Sequence, residues 1–221
     1  MHLYLNRIIP SITNLGPGKR IGLWLQGCSL RCRGCMSPEL FDKDERYRRD
    51  LESIFQEMIH LSPGHDGVTV SGGEPMEQSL ALGVLMEKIR RHTRLDLMLY
   101  SGYTREEIQQ GSQEMCSLLD QIDILIDGRY HHDLPTRKLW RGSANQRMHL
   151  LSERARGYRD YLEAEYGSRR PIQVNMEPQT GLVIIGIPEP GFRGQLEKKM
   201  RERGVRLIKT NLPKGGGLHG E

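Results

Sequence analysis

Three of the four cysteines in this chain of 221 residues fall within one short segment. Cys28, Cys32 and Cys35 have the spacing C-x3-C-x2-C, directly after an apolar run at 20–26. Three thiolates on one loop can bind one iron–sulfur cluster or one metal ion. A cube of four irons held by three cysteines would keep one iron without a protein ligand, and that iron would be open for chemistry.

Two other uses of these cysteines compete with a cluster. A structural zinc site normally has four protein ligands, and the fourth cysteine, Cys116, has no partner at metal-binding spacing. A zinc site completed by Cys116 or by a histidine stays open as an alternative. A disulfide framework is disfavoured, because four cysteines are sparse for this length and the N-terminal residues 1–10 do not resemble a secretory signal. Neighbouring free thiols indicate a reducing compartment, so we expect a cytoplasmic protein.

The composition indicates one globular domain with a modest addition. Hydrophobic residues make up 37% and charged residues 27%, and no apolar run approaches the length of a membrane span. The formal net charge is only +4 and aromatic residues are 6%, so the chain lacks the basic stripe and stacking residues of nucleic-acid binders. We therefore expect no nucleic-acid partner and no membrane association.

Apolar periodicity predicts alternating strands and helices over the first 128 residues. Strands are predicted at 20–26, 68–73, 95–102 and 122–128, and helices at 44–61, 77–92 and 104–121. Alternation at this spacing predicts a parallel sheet with helices packed outside it. A capping-box pattern, Thr104-x-x-Glu107, marks the start of the last helix, on which Cys116 is interpreted as a small core residue.

Each predicted strand ends in a candidate functional segment. The segments are the cysteine loop, Gly72-Gly73-Glu74-Pro75, Ser101-Gly102 and Asp127-Gly128. Parallel strands carry working residues at their carboxyl ends, so all four segments are expected on one rim of the sheet. Gly-Gly and Asp-Gly are also common turn sequences, and the cysteine loop is what favours a functional interpretation.

The motifs together resemble the radical S-adenosylmethionine (radical SAM) superfamily. QGCSLRCRGCMSPEL, VSGGEP, LIDGRYHHDL and WRGSANQR are similar, within residues 7–150, to segments of the anaerobic ribonucleotide reductase activating proteins. Gly34 and Pro38-Glu39 favour this branch, since most of the superfamily has an aromatic residue before the last cysteine. Met36-Ser37, where an aromatic–Asn pair is common, and the long C-terminal region depart from the pattern.

The resemblance implies an α/β fold containing a partial (β/α) barrel of radical SAM type, open on one side. This core would occupy residues 1–150. Residues 151–212 would form a small C-terminal α+β appendage, and residues 213–221 a flexible tail. Within the appendage the pattern predicts a polar helix at 152–170, a hairpin at 172–187, a helix at 190–204 and a last strand at 205–210.

The resemblance also implies two cofactors, a [4Fe-4S] cluster and S-adenosylmethionine. Cys28, Cys32 and Cys35 would ligate the cluster. Reductive cleavage of S-adenosylmethionine on it would give a 5′-deoxyadenosyl radical. The residues that would bind S-adenosylmethionine are Gly72, Gly73, Glu74, Pro75, Ser101, Asp127 and Asn145. Glycines would let backbone carbonyls approach the methionine ammonium, and Glu74 would accept from that ammonium or hold its own loop.

The implied activity is hydrogen abstraction from a glycine of a partner glycyl-radical enzyme, an anaerobic ribonucleotide reductase, with a flavodoxin or ferredoxin as electron donor. Two alternatives stay open. One is a radical SAM enzyme that modifies a peptide or small molecule, and the other is a non-catalytic binding module stabilised by zinc or an Fe–S cluster. Trp140 is interpreted as a core residue, and His131-His132 as an exposed loop without a metal.

Overall fold

The computed structural model of the chain describes residues 1–177, 181–189 and 191–207. Two compact units are present, Met1–Tyr166 and Gly167–Glu221. The predicted tail at 213–221 lies outside the described residues. The domain limits expected at residues 150 and 212 stay predictions.

The first unit is organised around a seven-stranded open sheet. Its strands are β1 (His2–Ile12), β2 (Arg20–Leu25), β3 (Arg48–Asp50), β4 (Gly67–Gly72), β5 (Asp96–Tyr100), β6 (Ile124–Asp127) and β7 (Arg147–Leu150). Their order across the sheet is β3-β1-β2-β4-β5-β6-β7. The four predicted strands, β2, β4, β5 and β6, are parallel neighbours, whereas β1 and β7 run antiparallel beside them. The predicted α/β class is confirmed, and the described residues form no closed barrel.

Helices α1 (Leu51–Leu61), α2 (Ser79–His92), α3 (Arg105–Gln109) and α4 (Gln113–Leu119) accompany the sheet. The main core contains side chains from all four helices and from β1, β2, β4, β5 and β6. The central strands consist almost entirely of buried residues, as expected of parallel strands that are covered on both faces. Trp140 is buried in a second apolar cluster with residues of β5, β6 and β7, so its core interpretation is confirmed.

Two helix predictions had wrong limits. The helix predicted at 44–61 begins at Leu51, because residues 48–50 pair with β1 as β3 and the Asp50 carboxylate caps the helix through the Glu52 and Ser53 amides. The helix predicted at 104–121 is two helices, α3 and α4. Gly111 follows the end of α3, and Ser112 then caps α4 by accepting from an amide of its first turn.

Strands β1 and β7 were not predicted, and the polar α-helix predicted at 152–170 is wrong. Glu153–Tyr161 forms a 3-10 helix instead. Its Ala155 is fully buried, and the Tyr158 hydroxyl donates to the Asp96 carboxylate at 2.9 Å. These tertiary contacts hold the segment against the rest of the first unit. The polar composition of the segment does not reveal them.

The second unit contains the predicted hairpin and helix. Strands β8 (Gln173–Glu177) and β9 (Gly181–Ile185) are antiparallel, and α5 spans Phe192–Glu202. The strand predicted at 205–210 falls partly outside the described residues, and its described part, 205–207, is not a strand. Among the described residues, no helix has the length and apolar character needed to cross a membrane.

Candidate functional site

The cysteine loop follows β2 at the carboxyl end of the sheet. Cys28, Cys32 and Cys35 are each half-buried and are free thiols. The Cys35 amide donates to the Cys32 carbonyl at 3.1 Å, which closes a turn. The Cys28 amide donates to the Phe41 carbonyl at 2.8 Å, which ties the start of the loop to its return segment. Burial raises the pKa of the Cys28 and Cys35 thiols, which favours their protonated form in the metal-free protein. Because a metal binds the thiolate, both thiols release their protons when a metal is bound.

The Gly-Gly pair after β4 lies against the start of the cysteine loop. The Glu74 amide donates to the Gly27 carbonyl at 2.9 Å. A Cβ on Gly73 would overlap that same carbonyl, and a Cβ on Gly72 would lie 2.5 Å from the Leu25 amide nitrogen. Gly72 also has a φ of +102°. Only glycine lets the backbones after β2 and β4 approach so closely.

Glu74 is buried between the ends of β4 and β5. One carboxylate oxygen accepts from the Met76 amide at 2.9 Å and from the Ser101 hydroxyl at 2.8 Å, and the other accepts from the Gly102 amide at 2.7 Å. Burial raises the pKa of Glu74 to about 7 despite these three donors. The carboxylate thus joins two strand ends, and Pro75 behind it begins the 3-10 helix Pro75–Gln78.

Ser101 is buried at the end of β5. Besides donating to Glu74, its hydroxyl accepts from the Tyr103 amide at 3.1 Å. A Cβ on the following Gly102 would overlap the side chain of Leu30 from the cysteine loop. The cysteine loop therefore contacts the ends of β4 and β5, as the one-rim prediction requires.

Asp127, the last residue of β6, is also buried. It accepts from the Arg105 amide and the Arg147 guanidinium, each at 2.7 Å, and His149 Nε2 lies 3.1 Å from it. Burial alone would raise the pKa of Asp127, but the hydrogen bonds from His149, Arg147 and Arg105 outweigh it and lower that pKa well below the usual range. Arg147 also pairs with Glu106.

Asn145 and its neighbours contact the loop that follows β6, residues 128–134, called here the β6 loop. The Asn145 amide donates to the Arg129 carbonyl at 2.8 Å. The Gln146 amide group donates to the Gly128 carbonyl at 2.9 Å. The polar side chains of this segment are thus used on the protein's own backbone.

The same segment is reinforced within itself. The Gln146 side-chain carbonyl accepts from the Gly142 amide at 2.7 Å and from the Ser143 amide at 3.3 Å. The buried Ser143 hydroxyl accepts from the His131 amide at 3.1 Å. His131 and His132 are exposed, so the prediction of an exposed loop is confirmed.

Sequence reasoning missed Gln146, Arg147 and His149 as partners of the rim. Arg147 and His149 alternate along β7, and both reach Asp127. Polar residues at every second position of a strand indicate a shared face, but this signal could be used only if residues 147–150 had been predicted as a strand. Arg147 is 46% exposed on its side chain, which places part of this charge cluster at the surface.

The donor set of the cysteine loop fits an iron–sulfur cluster. Such clusters are held by cysteine thiolates, each on its own iron, and the loop supplies three free thiols next to a glycine-rich loop. Among the described residues, no three His, Cys, Asp or Glu side chains form a group that could hold a single metal ion. Cys116 lies apart on α4, half-buried, with Sγ 3.5 Å from the Ile108 carbonyl.

Comparison with known proteins gives the family. Residues 14–149 match the model of the 4Fe-4S single cluster domain. The anaerobic ribonucleoside-triphosphate reductase-activating protein of Enterobacteria phage T4 is 33% identical over 65% of this chain and 91% of its own length. The protein of that name from Vibrio cholerae is 33% identical over 62% of this chain and 91% of its own.

A solved structure, QueE from Escherichia coli, superposes with a TM-score of 0.39 at 16% identity, over 47% of this chain and 54% of its own. That likeness is too low to carry an argument. Residues 14–149 thus form a 4Fe-4S single cluster domain. The chain belongs to the anaerobic ribonucleoside-triphosphate reductase-activating protein family.

Proposed function

We propose that this protein is a radical SAM enzyme that activates an anaerobic ribonucleotide reductase by generating a glycyl radical in it. The observation that carries the proposal is the contact of a three-thiol loop with the Gly72–Gly73 backbone, in a chain of the activating-protein family. Its cofactors are a [4Fe-4S] cluster and S-adenosylmethionine. When bound, and supplied with one electron, this pair would break the sulfonium S–C bond to give methionine and a 5′-deoxyadenosyl radical, which would take a hydrogen atom from glycine and become 5′-deoxyadenosine.

The residues of the rim have separate tasks in this proposal. Cys28, Cys32 and Cys35 hold the cluster, and the thiolate form of each is needed for that. Gly72 and Gly73 let the backbone after β4 lie directly against the start of the cysteine loop, because a Cβ on either residue would overlap backbone atoms there.

Four of the residues predicted to bind a cofactor are proposed to support its binding indirectly, by fixing the loops to which they are hydrogen-bonded. Glu74 and Ser101 join the ends of β4 and β5, and their hydrogen-bonding atoms are engaged by the protein. Asp127 and Asn145 hold the segments after β5 and β6. Pre-oriented loops of this kind reduce the entropy lost when a cofactor is bound.

The open sheet is interpreted as the partial (β/α) barrel of the superfamily. A flavodoxin or ferredoxin would deliver the electron. The three free thiols favour a reducing compartment, which suggests the cytoplasm.

The test is anaerobic reconstitution with iron and sulfide, then reduction in the presence of S-adenosylmethionine and assay of 5′-deoxyadenosine. Wild-type protein should bind iron and form 5′-deoxyadenosine. Cys28→Ala should lose both, because two thiolates cannot hold the cluster at this site. Cys116→Ala is the matched control and should retain both, since Cys116 lies on α4. Product formation by Cys28→Ala at the wild-type rate would exclude this ligand set.

A further inference from the structure

The β6 loop has one defined position beside the cysteine loop. Side chains of Ser143, Asn145 and Gln146 bind the loop backbone at three places. The Ala144 amide adds a fourth bond, to the Leu134 carbonyl at 2.8 Å. A loop anchored at both of its ends loses little further freedom when it packs on a neighbour.

Tyr130 of this loop lies in a slot between two glycines. A Cβ on Gly142 would lie 3.0 Å from Tyr130 Cδ2 and 3.3 Å from Cε2, closer than side chains ordinarily pack. A Cβ on Gly34 would lie 3.7 Å from Tyr130 Cε1 and 3.1 Å from the Cβ of His132. The ring thus occupies the space that a side chain at Gly142 would take, and its other edge is at van der Waals distance from the Cβ position of Gly34.

One side of the slot is next to a proposed cluster ligand. Gly34 is the residue before Cys35, and its φ of +77° is a conformation that glycine adopts without strain. Tyr130 is half-buried, and its ring packs closely on Gly142. Packing of the ring is therefore its contribution to this part of the rim.

We infer that Tyr130 is a positioning residue for the iron–sulfur cluster. Its ring, which packs on Gly142 and reaches Gly34, would shield the Cys35 end of the cysteine loop and would limit the access of water and chelators to irons bound there. The inference rests on the proposed function in one respect, namely that the cysteine loop holds a cluster. An apolar shell around a metal site controls solvent access in general.

The experiment measures how fast reconstituted full-length protein loses iron to a chelator under anaerobic conditions, followed by visible absorbance. Tyr130→Ala should release iron about tenfold faster than wild type, the lower end of the effect of removing outer-shell groups. Tyr130→Phe is the matched control, since it keeps the ring, and should release iron at the wild-type rate. Equal rates for Tyr130→Ala and wild type, with equal initial iron, would overturn the inference.

A second variant keeps the test decisive if Tyr130→Ala does not fold. Gly142→Ala adds a methyl group that presses on the Tyr130 ring, and it should also accelerate iron release. Combined with Tyr130→Val, which has no atom at the Cδ2 position that the methyl group would meet, Gly142→Ala should have no added effect. If the two substitutions accelerated iron release in a strictly additive way, residues 130 and 142 would not act through one shared slot.

The outcome for wild-type protein separates this inference from the proposed function. If wild-type protein binds no iron, or binds it and leaves S-adenosylmethionine intact, the proposed function fails. If wild type forms 5′-deoxyadenosine while Tyr130→Ala and Gly142→Ala both retain iron as wild type does, only the role of Tyr130 fails.

Discussion

At the scale of single residues, the rim depends on buried carboxyl groups that bind other parts of the protein. Glu74 accepts three hydrogen bonds, from Met76, Ser101 and Gly102, and no cation of the described residues pairs with it. Asp127 is held by the Arg147 guanidinium, by the His149 ring and by the Arg105 amide. Burial therefore dominates the pKa of Glu74, whereas hydrogen bonds dominate that of Asp127.

The raised pKa of Glu74 predicts a pH-dependent stability for the metal-free protein. Between 4.5, its ordinary pKa, and about 7, the folded carboxyl group keeps a proton that the unfolded one has released. The folded state then binds more protons, so the free energy of unfolding falls as pH rises through this window, by about 3 kcal/mol in total.

Glu74→Gln cannot titrate and should lose this contribution. The difference in unfolding free energy between wild type and the variant, from urea titrations at several pH values, should change by about 3 kcal/mol across the window. Glu87→Gln, on the exposed face of α2, is the control and should follow wild type. If the unfolding free energies of wild type and Glu74→Gln changed with pH in parallel, the pKa of Glu74 would not be raised by folding.

At the scale of elements, polar side chains at helix ends set the limits that apolar periodicity could not. The apolar pattern that indicated a helix at 44–61 is real only from Leu51 onward, where Asp50 satisfies two free amides. The Thr104–Glu107 capping box is confirmed, but α3 that follows it has only five residues.

Removal of the α1 cap should destabilise the protein modestly. Asp50→Ala should lower the free energy of unfolding, because the Glu52 and Ser53 amides lose their acceptor. Asp50→Asn keeps an acceptor oxygen and should retain most of that stability. Urea unfolding of the two variants distinguishes them, and equal losses would mean that the cap contributes through its charge alone.

At the scale of the whole molecule, the sheet, both buried clusters and the rim all lie in Met1–Tyr166. The family model ends at residue 149, but the chain continues to make contacts with that unit. The Trp140 amide donates to the Tyr166 hydroxyl at 2.9 Å, and Tyr158 donates to Asp96.

A truncated chain of residues 1–166 should therefore fold cooperatively and bind iron with the same stoichiometry as the full chain. Truncation to residues 1–150 removes both tyrosines and should lower the free energy of unfolding by about 2 kcal/mol, from two lost hydrogen bonds to buried partners. Denaturation of the two fragments measures this. Equal stabilities would place the end of the unit at residue 150, as the sequence pattern suggested.

The sequence by itself predicted the four parallel strands of the core and the segments gathered at their carboxyl ends. Strand and helix periods, the cysteine spacing and the Gly72-Gly73 pair are local signals, and each depends on neighbours within a few residues. Their meeting at one edge follows from the geometry of parallel βα units, which requires no knowledge of side-chain contacts.

Only the tertiary structure decided what the polar residues of the rim bind. The prediction that Glu74, Ser101, Asp127 and Asn145 contact a cofactor stays a prediction. The hydrogen bonds that these side chains make to protein groups, up to 28 residues away in the chain, were not foreseen. The edge strands β1 and β7 likewise take their conformation from pairing with the parallel strands beside them. Partners distant in sequence impose no periodic pattern on either residue, so such contacts appear only when the chain is folded.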